Sequence, residues 1–372
     1  MLQAEVYDSI TGQSILPLEP AAAFATRRMT GAGLGVVVFQ LADLYDRFAR
    51  GGMDFAAAKT WMRDSLFKAR RRMIAFHDGG SLVPYAGFIM KRGTVDDAAG
   101  TLTLDLQEFR LAASWRMTSG VGNIQDANLV VKNVSPQAAL RAILDRMINM
   151  GGIGGRWGFP VDLTALSTAA GSLDVDAQWY DSKYIEDLLQ ELEEKGYEID
   201  FNPVRLASGS LSIVPRIAET IQSSAVSDFS VSAAKSAITK LAVTEDHAVQ
   251  FTGVLGAGIG SGSDTVFSPA FNPPDTGIPF SDVRRDFIDL RTEATVGAAA
   301  QAELTRYLHG VEQWSFEINL DAAGLSWEHV QIGRRIRLDV RGHWWIPDGQ
   351  YVKRVIAATP TLGSGTVQIE VQ

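Results

Sequence analysis

Short alternating runs dominate the first third of the chain. "LQAEVYD", "QSILPL", "AFATRRM" and "GVVVFQL" are separated by Gly, Pro and polar residues, the punctuation of β-strands. A helical interlude, "LADLYDRFARGGMDFAAAKTWMRD", follows, and strands resume with "KARRRMIAFHDG", "VPYAGFIMKRG" and "GTLTLDLQEF". In Thr101-Leu102-Thr103-Leu104-Asp105-Leu106 the period of two predicts one buried and one wet face.

The middle has the period of a helix. "SPQAALRAILDRMINM" offers Ser135 as N-cap and Pro136 at the first helical position, with Leu140, Ile143, Leu144, Met147 and Ile148 on one face. "DSKYIEDLLQELEEKG" predicts a second helix with a stripe of Ile185, Leu188, Leu189 and Leu192, stopped at Gly196. Its Glu191, Glu193 and Glu194 read as a solvated face. "YEIDFNPV" and "GSLSIVP" predict a strand pair.

From about Ser227 the chain is β again, in "DFSVSAA", "ITKLAVTED" and "AVQFTGV". The Gly/Ser/Pro-rich stretch from Gly256 to Pro279 predicts a long loop. "TVGAAAQAELTRYLHG" predicts a third helix, and "EQWSFEINL", "RRIRLDV", "QYVKRVI" and "TVQIEVQ" close the chain as strands.

Two segments match in order. Trp61 to Gln107 and Trp327 to Gln372 each open with a Trp and continue through an Arg pair (Arg71-Arg72, Arg334-Arg335) into a strand. Each then has a turn ending in Pro (Pro84, Pro347), a Gly (Gly87, Gly349), a Lys-Arg pair (Lys91-Arg92, Lys353-Arg354) and a Gly-Thr start to an alternating strand (Gly100-Thr101, Gly365-Thr366). The spacing between the copies is nearly constant, which marks a duplicated β-unit. A strand lies upstream of each Trp, "GVVVFQL" before one and "WSFEINL" before the other. The predicted fold is mainly β with α+β insertions: two similar small antiparallel β-barrels plus two smaller α/β domains. The expected boundaries are residues 1–115 for the first barrel, 116–225 for an α/β domain, 226–255 with 311–372 for the second barrel, and 256–310 for a mixed insertion.

Composition narrows the chemistry. The 372 residues are 46% hydrophobic, enough for large cores, and the formal net charge of −9 argues against nucleic-acid binding as the main task. With 0 cysteines, disulfides, thiolate nucleophiles and Cys-ligated zinc are excluded. The N-terminus lacks the basic and apolar regions of a signal peptide, and no apolar run is long enough to span a bilayer.

His77, His247, His309, His329 and His343 stand outside helical ligand spacing of one another, and no G-x-S-x-G elbow occurs. "GAGIGSGSD" has Ser261 where a dinucleotide loop needs its last Gly, so it reads as loop. No catalytic, cofactor or metal residue is assigned, and the expectation is a non-enzymatic protein. Alternation sends Arg70 and Arg72 to one face, and Arg335, Arg337 and Arg341 to one face. Arg335 and Arg337 are candidates for ion pairing across subunit contacts. Trp344 and Trp345 are candidates for a partner contact or for sugar binding, with one expected to pack inside and the other to be exposed.

The paired hairpins "RRRMIAFHDGG…FIMKRG" and "RRIRLDVRG…YVKRVI" carry a resemblance. With "WYDSKYIEDLLQELEEKGYEIDF", and with "RTEATVGAAAQAELTRYL" before "WSFEI", the chain resembles the baseplate or tail-tip hub proteins of tailed bacteriophages. That family includes the hubs of contractile tails and the hub portion of type VI secretion spikes; the last helix is similar to that of siphovirus-type members. The resemblance implies a homotrimer whose six similar barrels adapt a sixfold tail tube to a threefold tip. It implies as partners a distal tail protein or the tube, a central spike or fibre, and a tape measure protein, with the virion tail tip as location. Some members continue into a wall-degrading domain. This sequence stops at Gln372, so any lytic activity is expected on a different chain.

Overall fold

The computed structural model describes residues 2–96, 98–119, 128–150, 156–233, 235–248, 250–271, 279–288, 290–308, 311–321 and 324–372. It divides into two compact units, residues 1–241 with 316–371, and residues 242–315 with 372.

The first unit holds one large sheet and most of a second. One runs in the order Ser14–Leu18, Gln3–Asp8, Arg72–His77, Tyr85–Asp96, Thr101–Glu108, Leu34–Gln40, Ala22–Ala25. The other runs Val226–Ser230, Arg335–Val340, Gly349–Pro360, Thr366–Val371, Val311–Asn319, Ile238–Asp246. The duplication is visible in these orders. In each sheet the strand after the Arg pair, the Lys-Arg strand, the Gly-Thr strand and the upstream "GVVVFQ" or "WSFEIN" strand lie side by side in that sequence. Buried Leu102, Leu104 and Leu106 in one copy answer buried Val367, Ile369 and Val371 in the other.

The copies differ at one flank. Gln3–Asp8 lies antiparallel to Arg72–His77, whereas Val226–Ser230 lies parallel to Arg335–Val340, a departure from the all-antiparallel expectation. Arg72–His77 does not alternate: Met73 and Ala75 face one core, and Ile74 and Phe76 the other. A sheet covered on both faces selects such a continuous apolar run. One cover is the helical interlude, through Leu44, Phe48, Met62 and Leu66. The other is the α/β region, through Leu140 and Ile143 of Pro136–Asp145 and Leu188 and Leu192 of Ile185–Glu194. Ser135 Oγ caps the first of these helices by accepting from Ala138 N, and Gly196 follows the second at φ 91°.

Two expectations fail here for physical reasons. Arg70 is not on a strand. It sits at φ 62° in the turn before Arg72–His77, its guanidinium 4.8 Å from the Trp115 ring centre. Glu193 is not on a solvated face either. With Glu186 it clamps Arg110, a side chain 5% exposed, through nitrogen–oxygen distances of 2.5–3.3 Å. A buried guanidinium needs this double partner, and the two carboxylates hold its pKa above the usual arginine range against the opposing effect of burial.

The second unit corrects the expected loop at 256–279. Gly253–Ala257 forms the centre of a three-stranded sheet, antiparallel to Phe267–Phe271 and parallel to Asp282–Asp286. Residues 272–278 of the expected loop lie outside the described residues. The helix Glu293–Tyr307 covers one sheet face with Val296, Ala300 and Leu304. The glycines that suggested a loop allow that approach: a Cβ on Gly256 would sit 2.8 Å from Val296 Cγ1.

Candidate interaction site

The hairpin loop 341–348 joins Arg335–Val340 to Gly349–Pro360, and its polar groups tie it down. Gly342 N donates to Asp348 Oδ1 at 2.6 Å. His343 Nδ1 accepts from Ile346 N at 3.0 Å and from Trp345 N at 3.2 Å. Arg341 N donates to Ser232 Oγ at 3.1 Å, and Tyr351 Oη donates to Pro347 O at 2.8 Å. The apolar anchor is Ile346, 4% exposed.

Both tryptophans point out, Trp344 at 101% and Trp345 at 73% exposure. The expectation that one packs inside fails because the pair lies in the bends of the loop, where the two-sided alternation of a strand does not apply. Ile346 takes the inward position instead. Hydrogen bonds thus hold the loop that carries the two exposed indoles.

Arg335 and Arg337 do share a face of their strand, between buried Ile336 and Leu338. Arg337 has a partner within the chain. Its Nε and Nη2 lie 2.5 and 2.9 Å from the Asp228 carboxylate, across the parallel register that sets Asp228 opposite Arg337. The guanidinium holds Asp228 below the usual carboxylate range. This pair is exposed, so water and salt screen it and it adds little to stability.

Sequence reasoning missed a buried ionic cluster in the first unit. Arg27 Nη2 lies 2.6 Å from Asp200 Oδ1. Arg216 donates to Asp200 Oδ2 at 2.8 and 2.6 Å. Glu108 Oε1 is 3.9 Å from Arg27 Nε, and Glu108 Oε2 accepts from Gly33 N at 2.6 Å. Burial pushes the Glu108 carboxyl up to about 8, only partly offset by the charge of Arg27 and the Gly33 N–H. Nearby, Arg354 forks onto Glu198 at 2.5 and 2.7 Å. Glu108 belongs to the first sheet, Asp200, Arg216 and Glu198 to the strand pair Glu198–Arg205 and Leu211–Ala218, and Arg354 to the second sheet, with which the short strand Arg27–Arg28 also pairs. The one signal available was Glu108 at a buried place in the alternation of Thr101–Glu108.

A second buried cluster has the residue types of catalysis. Glu5 accepts from Ser14 Oγ and from Tyr7 Oη, and lies 2.9 Å from His77 Nε2. The serine bonds the carboxylate rather than the imidazole, and His77 Nδ1 accepts from Gly79 N at 3.2 Å. The histidine therefore has no nitrogen left to activate the hydroxyl. Burial raises the Glu5 pKa, but the Ser14 and Tyr7 hydrogen bonds and the charges of His77 and Arg205 outweigh it and hold it low. The cluster pins Gln3–Asp8 to Arg72–His77. Among the described residues no three His, Asp or Glu side chains gather to hold a metal, and no helix is long and apolar enough to cross a membrane. His309 lies outside the described residues.

No protein-family description and no curated protein matches the chain by sequence. Solved structures do match along its whole length. The 43 kDa tail protein of prophage MuSo2 from Shewanella oneidensis superposes with a TM-score of 0.60 at 9% identity, over 99% of this chain and 97% of that one. A tail protein from Neisseria meningitidis gives 0.54 at 12% identity, over 100% and 96%. Prophage tail protein gp18 from Listeria monocytogenes gives 0.50 at 10% identity, over 99% and 94%. The chain has the fold of these phage tail proteins, as the resemblance in the paired hairpins led one to expect.

Proposed function

We propose that the chain is a structural hub at the distal end of a phage tail. Three copies form a ring in which six related β-units face a sixfold tube or distal tail protein, and the remaining domains present threefold symmetry to a spike, fibre or other tip protein. The observation that carries this reading is the repeated strand order of the two large sheets, within a fold shared end to end with phage tail proteins. A trimer needs an internal repeat to offer a sixfold face. Trp344 and Trp345 are the partner contact, on a loop that only the second copy decorates with indoles. Multi-angle light scattering tests the ring: a trimer with a ring in negative stain is expected, and a strictly monomeric chain at high concentration sinks it.

A second reading draws on Trp344 alone. An indole fully open to solvent is the surface that stacks on a sugar ring, so the chain is alternatively a carbohydrate-binding module for the host surface. A glycan array with the isolated chain decides between the two.

A further inference from the structure

The two large sheets are joined within the chain by backbone pairing. Arg28 and Arg27 lie antiparallel to Ala357 and Ala358, Met29 N donates to Ile356 O at 2.8 Å, and Phe24 bridges to Thr361. The chain leaving the first sheet's edge strand Ala22–Ala25 thus lies against a flank of Gly349–Pro360, past the end of that strand's pairing with Arg335–Val340.

Strand registers locate the counterpart of this flank in the first sheet. Ile89 lies opposite Leu106, the register then shifts, and Lys91 and Arg92 lie opposite Asp105 and Leu104. Val355 lies opposite Val371, the register shifts at the same place, and Ala357 and Ala358 lie opposite Glu370 and Ile369. Ile89 O accepts from Arg70 N at 2.8 Å and Val355 O from Gly333 N at 2.9 Å, and both donors have positive φ, 62° and 83°. Lys91 therefore stands where Ala357 stands. Pairing of its strand with Arg72–His77 ends at Phe88, and among the described residues no strand lies against the flank beyond.

The edge strands are in step as well. Leu41 N donates to Gly100 O and Leu320 N to Gly365 O, both at 2.8 Å, which aligns Val38 with Glu317. Val38 pairs with Ala22. Asn319 N donates to Ala237 O at 2.8 Å and Thr239 Oγ1 to Glu317 Oε1 at 2.9 Å, so Thr239 stands for Ala22 and Glu245 for Arg28. Their strand, Ile238–Asp246, ends the order of the second sheet. Glu245 is exposed, 3.8 Å from His247 Nε2, and Lys91 is exposed.

We propose that Ile238–Asp246 of one copy lies antiparallel against residues 90–96 of the next copy, with Glu245 opposite Lys91. The junction inside the chain leads from the first sheet to the second. The same step repeated leads from the second sheet to the first sheet of another copy, a head-to-tail contact that three copies close into a ring. The inference rests on the hub reading and names its subunit contact. Charge fits the occupant. Within the chain Arg28 reaches past Ala357 to Glu370, with 3.6 Å between Nη2 and Oε1. Between copies the cation moves to the receiving strand: Glu245 takes the place of Arg28, and Lys91 that of Ala357.

The chain has 0 cysteines, so disulfide trapping is clean. Arg28 and Ala357 form the close, non-hydrogen-bonded kind of antiparallel pair, since Met29 and Ile356 bond beside them. The Cα separation of such pairs, about 4.5 Å, suits a disulfide. Lys91→Cys with Glu245→Cys in one chain should therefore link into a covalent trimer on a non-reducing gel after oxidation with copper phenanthroline. Each single variant should stay unlinked, and a mixture of the two singles should give dimers alone. Lys91→Glu should weaken self-association about tenfold or more in sedimentation, and adding Glu245→Lys should recover it. A trimer by light scattering that neither links nor responds to Lys91→Glu overturns the pairing and leaves the hub reading standing. Linked open chains without a closed trimer keep the pairing and remove the ring. A bond within a single chain, or a monomer that never links, overturns the pairing.

Discussion

Arg27 and Asp200, 173 positions apart, form an ion pair of 2.6 Å with both side chains 1% exposed. The two ends of the pair are not equivalent. Asp200 keeps Arg216 if Arg27 is removed, whereas Arg27 keeps only Glu108, at 3.9 Å, if Asp200 is removed. Asp200→Ala should therefore cost about 3–5 kcal/mol, the range for stranding a buried charge, and Arg27→Ala distinctly less. Urea denaturation with an unchanged slope checks the order; equal losses would show that Arg216 does not compensate.

Glu108 gives the pH dependence a sign. Its folded pKa of about 8 lies above the ordinary 4.5, so between these values the folded state holds a proton that the unfolded chain has released. Stability attributable to Glu108 is therefore highest below about pH 4.5 and falls as pH rises toward 8, by at most about 1.4 kcal/mol per pH unit. Glu108→Gln should flatten this part of the curve. Thermal melts from pH 5 to 8 check it, and parallel curves for the two proteins would refute the assignment. Asp8 works in the opposite direction. Burial raises its pKa, but the Thr11 and Ile10 N–H groups and the charges of Arg71 and Arg72 hold it low, so its contribution is lost as pH falls below the ordinary aspartate range.

The loop 341–348 sets an exposed side chain beside a buried one. Trp344→Ala should change folding free energy by less than about 0.5 kcal/mol, since the side chain is fully exposed. Ile346→Ala, two positions on and buried, should cost about 2–5 kcal/mol. Chemical denaturation of the two variants side by side makes the comparison.

Gly256 limits the second unit. A side chain there meets Val296 Cγ1 at 2.8 Å and Ala300 Cβ at 3.2 Å, both on Glu293–Tyr307. Gly256→Val should destabilise that unit by about 1–3 kcal/mol through overpacking. Hydrogen exchange should rise in residues 253–257 and 293–307 and stay unchanged at Thr101–Glu108.

What could be read in advance follows a physical rule. Elements with one buried face write their period into the chain, so Leu140, Ile143 and Leu144, or Leu102, Leu104 and Leu106, announce their roles. The duplication was legible because turn residues, Arg pairs and Gly-Thr starts recur in order. Polar residues buried by distant partners leave no such trace. Nothing near Arg27 or Arg110 names Asp200 or Glu186 as its counterpart, since those contacts are made by tertiary geometry. The glycines of the second unit misled for a related reason: absence of a side chain marks a flexible turn and a close helix approach alike. For the candidate site, residue identity was legible and orientation was not, because whether Trp344 and Trp345 lie on a strand or in its loop depends on where pairing stops.

Ala22–Ala25 pairs with Leu34–Gln40, and two residues later Arg27 and Arg28 pair with Ala358 and Ala357. A stretch made early in synthesis thus waits for one made more than three hundred residues later. The first sheet can form its own strands while the ribosome is still translating, but Arg27 and Arg28 stay without their sheet partners until residues 357–358 emerge. Completion of the fold is therefore a late event, gated by arrival of the second β-unit. Partly made chains should accumulate as protease-sensitive species cut near residues 26–33, and a stalled-ribosome series should show that sensitivity vanish only after the strand Gly349–Pro360 has cleared the exit tunnel.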